Sequence, residues 1–544
     1  MLVPLLLALL QEEPAQKDDA PFGPLEVGIA AELLGLHFTE KELELMLPNV
    51  LERLRDFEKL RALPLENEVV PALYFMPDPE AARRGKPEQP PSGVIDGPPP
   101  KRPDNLEDLV YEPIWVLHEM LENEVVTCEE LTRTYLARLK RLDSALHCVV
   151  TLTEERALAQ ARERDRELAE GRQRGILHGL PWVAKDLLAV KGYPTTWGTP
   201  PFRDRQLDYD AAVVERLDAA GAILIAKVSL GELAMGDVWF GGRTRNPWKP
   251  EQGSSGSSAG TASAISAGCA VFGIGSETLG SIVSPSTVCG NSSLRPTFGQ
   301  VSRHGAMTLS WSMDKLGPLA HSAEDAGLVF GAIRGHDPRD ATTVDVPFVP
   351  QAGPGPAPDV RGWRVGVPRG AFGSNAPEKT VLDELQKLGV ELVDLDVPKY
   401  PVDEMLIVLT AEAGAAFDDF SRGEQDDLMV RQTRDAWPNT FRQAALIPAV
   451  DYIRANRLRT LLIRDYEKVL GGVRAIVYPS FQGSLLGATN LTGEPTFVAP
   501  CGFGQDGTPY SISFTGKLFG DGDVLALAMA WQRSTDYHRR HPKL

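Results

Sequence analysis

Apolar residues recur at helical spacing near the start of the chain. In FTEKELELMLPNVLERLRDFEKLRAL (38–63), Leu43, Leu47, Leu51 and Leu54 fall on one face, and Thr39 is placed as an N-cap. The pattern predicts a helical extension over residues 21–76. A segment this short cannot bury a core of its own, so it is expected to dock on a larger body. A proline-rich polar stretch, PDPEAARRGKPEQPPSGVIDGPPPKRPDN, marks 77–106 as a linker or extended wrapping segment. Beyond it, amphipathic helices are predicted at 127–142, 153–171 and 211–221. The last ends at Gly221 and leads into the buried strand AILIAKV (222–228). Further strands are expected at 363–368, 390–397, 473–479 and 495–500, with GDVLALAMAWQRSTDYH as a closing helix. Strands interleaved with helices predict an α/β fold around a covered central sheet, with the main domain at 107–544.

Composition narrows the function classes. The chain has 544 residues, 43% of them hydrophobic, which is enough for a large core. A formal net charge of −18 and the lack of any long basic run argue against nucleic-acid partners. Five scattered cysteines without CxxC spacing, and nine dispersed histidines without an HExxH motif, predict no disulfide framework, no metal and no cofactor. The apolar run Leu2–Leu10 is too short to span a bilayer, so no stable membrane insertion is expected. The run has the form of a short signal-peptide core, although no Lys or Arg precedes it and no AxA site follows. Export to the periplasm or medium, with residues 1–20 as leader or tail, is the expectation. Cytoplasmic retention is the alternative.

The segment GSSGSSAGTASAISAGCAVFGIGSETLGSIVSPS (253–286) carries the candidate chemistry. Ile265, Cys269, Val271, Phe272 and Ile274 call for burial, so it is not a flexible linker. A small-residue helix at 259–269 and a short strand at 270–274 are predicted instead. Gly275 to Gly280 gives half of a nucleotide loop, but Ser281 stands where the phosphate-binding lysine belongs. GSSAG (256–260) fits the GxSxG elbow with Ser258 as nucleophile. That reading needs a strand directly before it, and the preceding NPWKPEQGSS is polar and proline-interrupted. His304 and His321, the histidines it would draw on, have no distinguishing context.

The whole stretch resembles the amidase signature family. Ser257–Ser258 match its first serine pair, and Ser281 matches the serine of its GGS triplet. HGLPWVAKDLLAVKGYPTTWGT places Lys185 in the family's lysine context. TRNPW, SLRPTFGQVSRHG, MDKLGPLAHSAEDA and NLTGEPTFVAPCGF match in order, so the resemblance spans roughly 107–544. It implies a large mixed central sheet covered by helices on both faces, and a Ser–cis-Ser–Lys triad. In that triad Ser281 attacks the amide carbonyl, Ser257 relays its proton, and Lys185 acts as a neutral buried base. Backbone N–H groups of Thr278, Leu279, Gly280 and Ser281 would hold the oxyanion. Ser258 would support the site. Met235 would line the substrate pocket or sit in the core. Lys227 reads as structural, and Ser276, Ser284 and Ser286 as backbone-bonding residues. A triad without histidine implies insensitivity to diethyl pyrocarbonate, provided no histidine lines the pocket.

Three positions depart from the family pattern: Leu279 for Gly, Glu277 for Asp and Val283 for Arg. They leave the triad intact and bear on substrate choice. The implied activity is hydrolysis of a small-molecule carboxamide through an acyl-enzyme, releasing ammonia or an amine. The alternatives are a glutaminase-type subunit of a tRNA-dependent amidotransferase, whose small helical subunit the 21–76 segment weakly resembles, and an inactive scaffold on the same fold. Assembly into a homo-oligomer stays open.

Overall fold

The computed structural model describes residues 21–64, 73, 100–351, 353, 355–374, 376–480 and 482–544. The leader at 1–20 and residues 77–99 of the predicted linker lie outside them. At the centre is a mixed sheet of eleven strands, numbered here in chain order. They are β1 (Val149–Leu152), β2 (Pro181–Lys185), β3 (Ile223–Val228), β4 (Phe272–Glu277), β5 (Ser292–Arg295), β6 (Lys315–Ala320), β7 (Arg364–Pro368), β8 (Glu391–Leu395), β9 (Ala475–Pro479), β10 (Thr496–Phe503) and β11 (Pro509–Gly516). Across the sheet the order is β1-β3-β2-β4-β6-β5-β10-β11-β9-β7-β8. The β3–β2–β4 and β9–β7–β8 neighbours run parallel, and the remaining pairs are antiparallel. Strands β2 and β3 are buried along their whole length and, apart from Lys185 and Lys227, read as apolar runs, as strands covered on both faces do. The chain is thus a mixed α/β protein with a large mixed sheet flanked by helices.

Pairing also moves some predicted boundaries. The small-residue helix spans Ala259–Ser266 and stops at a turn in which Gly268 takes φ +63°. The strand that follows is Phe272–Glu277, longer than the apolar run alone predicts. It pairs with β2 on one side and, as far as Glu277↔Lys315, with β6 on the other, so the ladder carries it through polar Ser276 and Glu277. The closing helix ends at Arg533. The hydroxyls of Ser534 and Thr535 donate to the Trp531 carbonyl (2.8 and 3.2 Å) and compete with continued helix.

Two topological facts build the site. Lys185 ends β2, and β4 lies beside it with Ala184 opposite Ile274, so both strands deliver their last residues to one edge. The helix Ala259–Ser266 approaches β4 closely. A Cβ on Gly275 would stand 2.7 Å from Ser258 Oγ, so only glycine admits the contact.

The N-terminal extension forms two helices, Pro24–Leu33 and Glu40–Ala62. Thr39 and Glu42 close a reciprocal capping box at the second. Its Leu43–Leu54 stripe is only half-buried. The fully buried positions are Met46, Phe57 and Leu60, a face rotated towards the body. There Phe57 and Leu60 join a second core with Met405, Leu458 and Leu462. Arg61 forms a two-pronged pair with Asp451 (2.9 and 2.5 Å), and Arg454 donates to the carbonyls of Leu60 and Leu63, both at 2.8 Å. Leu60→Ala should destabilise the folded chain by about 2–5 kcal/mol. Urea unfolding followed by circular dichroism measures this, and a change under about 0.5 kcal/mol would mean that the extension folds apart from the body.

Candidate active site

Lys185 is 0% exposed. Its Nζ donates to Ser257 Oγ (2.8 Å), Ser258 Oγ (3.1 Å), Ser276 Oγ (2.8 Å) and the Ser276 carbonyl (3.4 Å). All four acceptors are neutral. Burial without a contacting carboxylate drives the lysine pKa well below its ordinary value, and the more distant Asp314 and Glu277 oppose this only in part. A neutral amine can accept the Ser257 hydroxyl proton.

Ser258 stands at the N-cap of Ala259–Ser266 without capping it through its side chain. Its hydroxyl instead donates to the Ser276 carbonyl (3.1 Å) and accepts from the Ser276 N–H (3.2 Å), fixing the wall of the lysine's socket. The Gly256–Ser257 peptide is cis. Ser281 is held against the pair by its backbone, its carbonyl accepting from the Ser258 N–H at 3.1 Å. The expected Ser257–Ser281 hydroxyl bridge is not formed: among the described residues Ser281 Oγ has no hydrogen-bond partner. Such bonds commonly tighten only around substrate.

The loop before Ser281 is divided sharply in its hydrogen bonding. The N–H groups of Thr278, Leu279, Gly280 and Ser281 donate to no other described group. The next two, of Ile282 and Val283, both donate to Glu277 Oε2 (2.8 and 2.9 Å). Gly280, at φ +80°, makes the bend. The fully buried Glu277 also accepts from Arg295 (2.9 Å) and Asn490 (2.8 Å) through Oε1. Burial opposes its charge, but Arg295 and the N–H donors together outweigh it and hold the carboxyl at about 2. Here the cation supporting the loop acid comes from Arg295 on β5, while Val283 is simply buried.

Beside the loop lies a cavity of about 340 Å³ reached by Ser276 and Thr278. Ala234 lines it. Met235 does not: it packs against the main core. Three serines read as backbone-bonding bond side chains. Ser276 meets Lys185, Ser284 meets Ser255 (2.5 Å), and Ser286 meets Ser293 (2.7 Å). His304 lines the cavity, so the proviso on diethyl pyrocarbonate is not met. His321 is half-buried against Tyr111, and desolvation of its ring lowers its pKa to about 3. Neither histidine bonds a serine of the site. The strand before Ser258, Lys249–Gly253, pairs only with Arg245–Asn246 outside the central sheet. Lys227 forms a buried pair with Asp186 (2.6 Å). Sequence reasoning passed over a third buried lysine, Lys315, the cross-strand partner of Glu277, and nothing in its local pattern marks it. Among the described residues no cluster of His, Cys, Asp or Glu could hold a metal ion, and no helix is long and apolar enough to cross a membrane.

Known proteins are similar to most of this chain in sequence and fold. A family model described as Amidase matches residues 130–488. A glutamyl-tRNA(Gln) amidotransferase subunit of Cyanothece sp. is 32% identical over 477 residues, covering 79% of this chain and 99% of its own. The protein of the same name from Chloroflexus aurantiacus is 34% identical over 469 residues, covering 77% and 96%. Among solved structures, the peptide amidase of Stenotrophomonas maltophilia is 27% identical with TM-score 0.70, covering 80% of this chain and 99% of its own. The glutamyl-tRNA(Gln) amidotransferase subunit of Thermotoga maritima is 25% identical with TM-score 0.65, covering 80% and 96%.

The site yields two expected outcomes. The lysine must be neutral to act, so kcat/KM should rise with pH through its depressed pKa, on a limb well below the ~10.4 of free lysine. A pH–rate profile checks this, and a limb at ordinary lysine values would remove Lys185 as base. Glu277→Gln strands the buried Arg295 and should destabilise the protein by about 3–5 kcal/mol, with a lower kcat. Glu277→Asp, which keeps the charge, should recover part of both in unfolding and rate measurements.

Proposed function

The chain belongs to the amidase family, whose enzymes hydrolyse C–N bonds, and we propose that it cleaves a carboxamide through an acyl-enzyme on Ser281. In this reading Ser281 Oγ attacks the amide carbonyl as its proton passes to Ser257, and the Ser257 proton passes to the neutral Nζ of Lys185. The oxyanion is met by the free N–H groups at 278–281. The lysine's proton returns through Ser257 to the leaving nitrogen, the C–N bond breaks, and ammonia or an amine departs. Water then adds to the acyl carbon, its proton following the same path, and the carboxylate leaves Ser281. The observation that carries this reading is the uncharged socket of Lys185, which keeps a base neutral within 2.8 Å of a serine.

A second reading has the names of the curated relatives behind it. Both sequence relatives above are described as subunits of a glutamyl-tRNA(Gln) amidotransferase, which favours release of ammonia from glutamine for a partner chain over a free-standing amidase. Export through residues 1–20 would fit the free-standing enzyme better. A serine-directed fluorophosphonate should label Ser281, with labelling lost in Ser281→Ala and an adduct on Ser258 counting against the mechanism. Lys185→Met should lower turnover by about 10²–10⁴-fold while the fold survives. Ammonia release from glutamine by the isolated chain, set beside that from a peptide amide, separates the two readings.

A further inference from the structure

The cavity beside the catalytic loop has a property that the reaction class does not dictate. Its walls include Leu187, Ala234, Ala306, Met307, Leu309 and Leu316. Four charged side chains also line it, and every one is committed to a partner within the protein. Asp314 accepts from the Thr278 hydroxyl (2.6 Å) and from the N–H groups of Leu309 and Ser310 (2.8 and 2.9 Å). Arg303 donates to Asp340 (3.2 Å), the Trp311 carbonyl (2.6 Å) and Thr342 (3.0 Å). Asp340 accepts in addition from the backbone and side chain of Thr342 (3.1 and 2.7 Å). Arg339 forks between Glu215 and Asp337, all four contacts lying between 2.6 and 3.0 Å. His304, the remaining ionisable group, packs its ring against Tyr209.

A charged group entering this space loses water and meets only wall charges whose hydrogen-bonding atoms are already engaged, Asp314 by neutral donors and the others by ion pairs. An apolar group gains by burial. Trp311 also lines the cavity and is 51% exposed, and Arg303 pins its carbonyl, so a large aromatic side chain stands half-open to solvent at the cavity wall. The volume is at the small end of the roughly 300–1,000 Å³ of ligand sites.

We propose that this cavity receives the uncharged, apolar acyl part of a small carboxamide, with Trp311 as the specificity-determining surface, and that glutamine is a poor substrate because its α-ammonium and α-carboxylate find no partners. The proposal rests on Ser281 as the nucleophile. It goes against the glutamine reading that the relatives' names favour.

The test uses the purified full chain with benzamide, hexanamide, propionamide, butyramide, succinamate and glutamine, scored by ammonia release, alongside fluorophosphonate labelling of Ser281. Benzamide and hexanamide should exceed glutamine in kcat/KM by at least about 100-fold. Trp311→Ala should lower the benzamide-to-propionamide ratio about tenfold, mainly through KM. Asp340→Asn, which releases Arg303 from its carboxylate, should raise the succinamate-to-butyramide ratio at least about threefold. Labelled Ser281 with glutamine preferred, with no apolar amide turned over, or with both ratios unmoved overturns the substrate assignment and leaves the nucleophile standing. Turnover with Ser281 unlabelled and Ser281→Ala still active overturns the nucleophile, and the assignment with it.

Discussion

A lysine amine buried without a counter-ion is the constraint around which this structure is arranged. Among the described residues three lysines lie deep in the main body, and of these Lys227 alone touches a carboxylate. Lys227 faces the Asp186 carboxylate and is charge-compensated. Lys315 donates to the Met313 carbonyl and lies opposite the Glu277–Arg295 pair. Lys185 meets only hydroxyls and one carbonyl. Excluding carboxylates from that socket favours the neutral amine, since an ion pair would hold it protonated. The close approach of the small-residue helix to β4, the glycine at 275 and the turned-in hydroxyl of Ser258 all serve to line the socket with neutral oxygen.

How much of this is legible in the sequence depends on whether the information is local. The N-cap at Thr39, the buried strand at 222–228 and the motif lysine and serines are local patterns, and they can be read directly. The strand extending to Glu277 is not local, because Lys315 of β6, 38 residues on, supplies the pairing that overrides two polar side chains. The extension's buried face turned out to be Met46, Phe57 and Leu60 because the body's groove selects the face. The helix Ala449–Leu470 is a different case. Ala455, Leu458, Leu462, Tyr466 and Leu470 are buried at helical spacing, so its signal was present in the sequence and went unused. Ser276 and Lys315 had no such signal, since their partners come from distant strands.

The comparisons and the cavity bear on different levels of function. Sequence identity across most of the chain establishes the family and with it the bond that is broken. Substrate choice rests on few side chains, and it can change while the scaffold persists. Wall charges held by hydrogen bonds around a cavity are that kind of local information. Names inherited across a third of identical positions do not encode it.

The loop from 277 to 283 makes one consequence plain. Its first four N–H groups are open and its next two are fastened to Glu277. Both halves use main chain alone, so the segment is indifferent to much of its own spelling and intolerant of a change in its count. Leucine at 279 alters no donor. Inserting or deleting a single residue would shift the fastened groups into the place of the open ones. The departures from the family pattern are all replacements of one residue by another, the one class of change that such a counted segment absorbs.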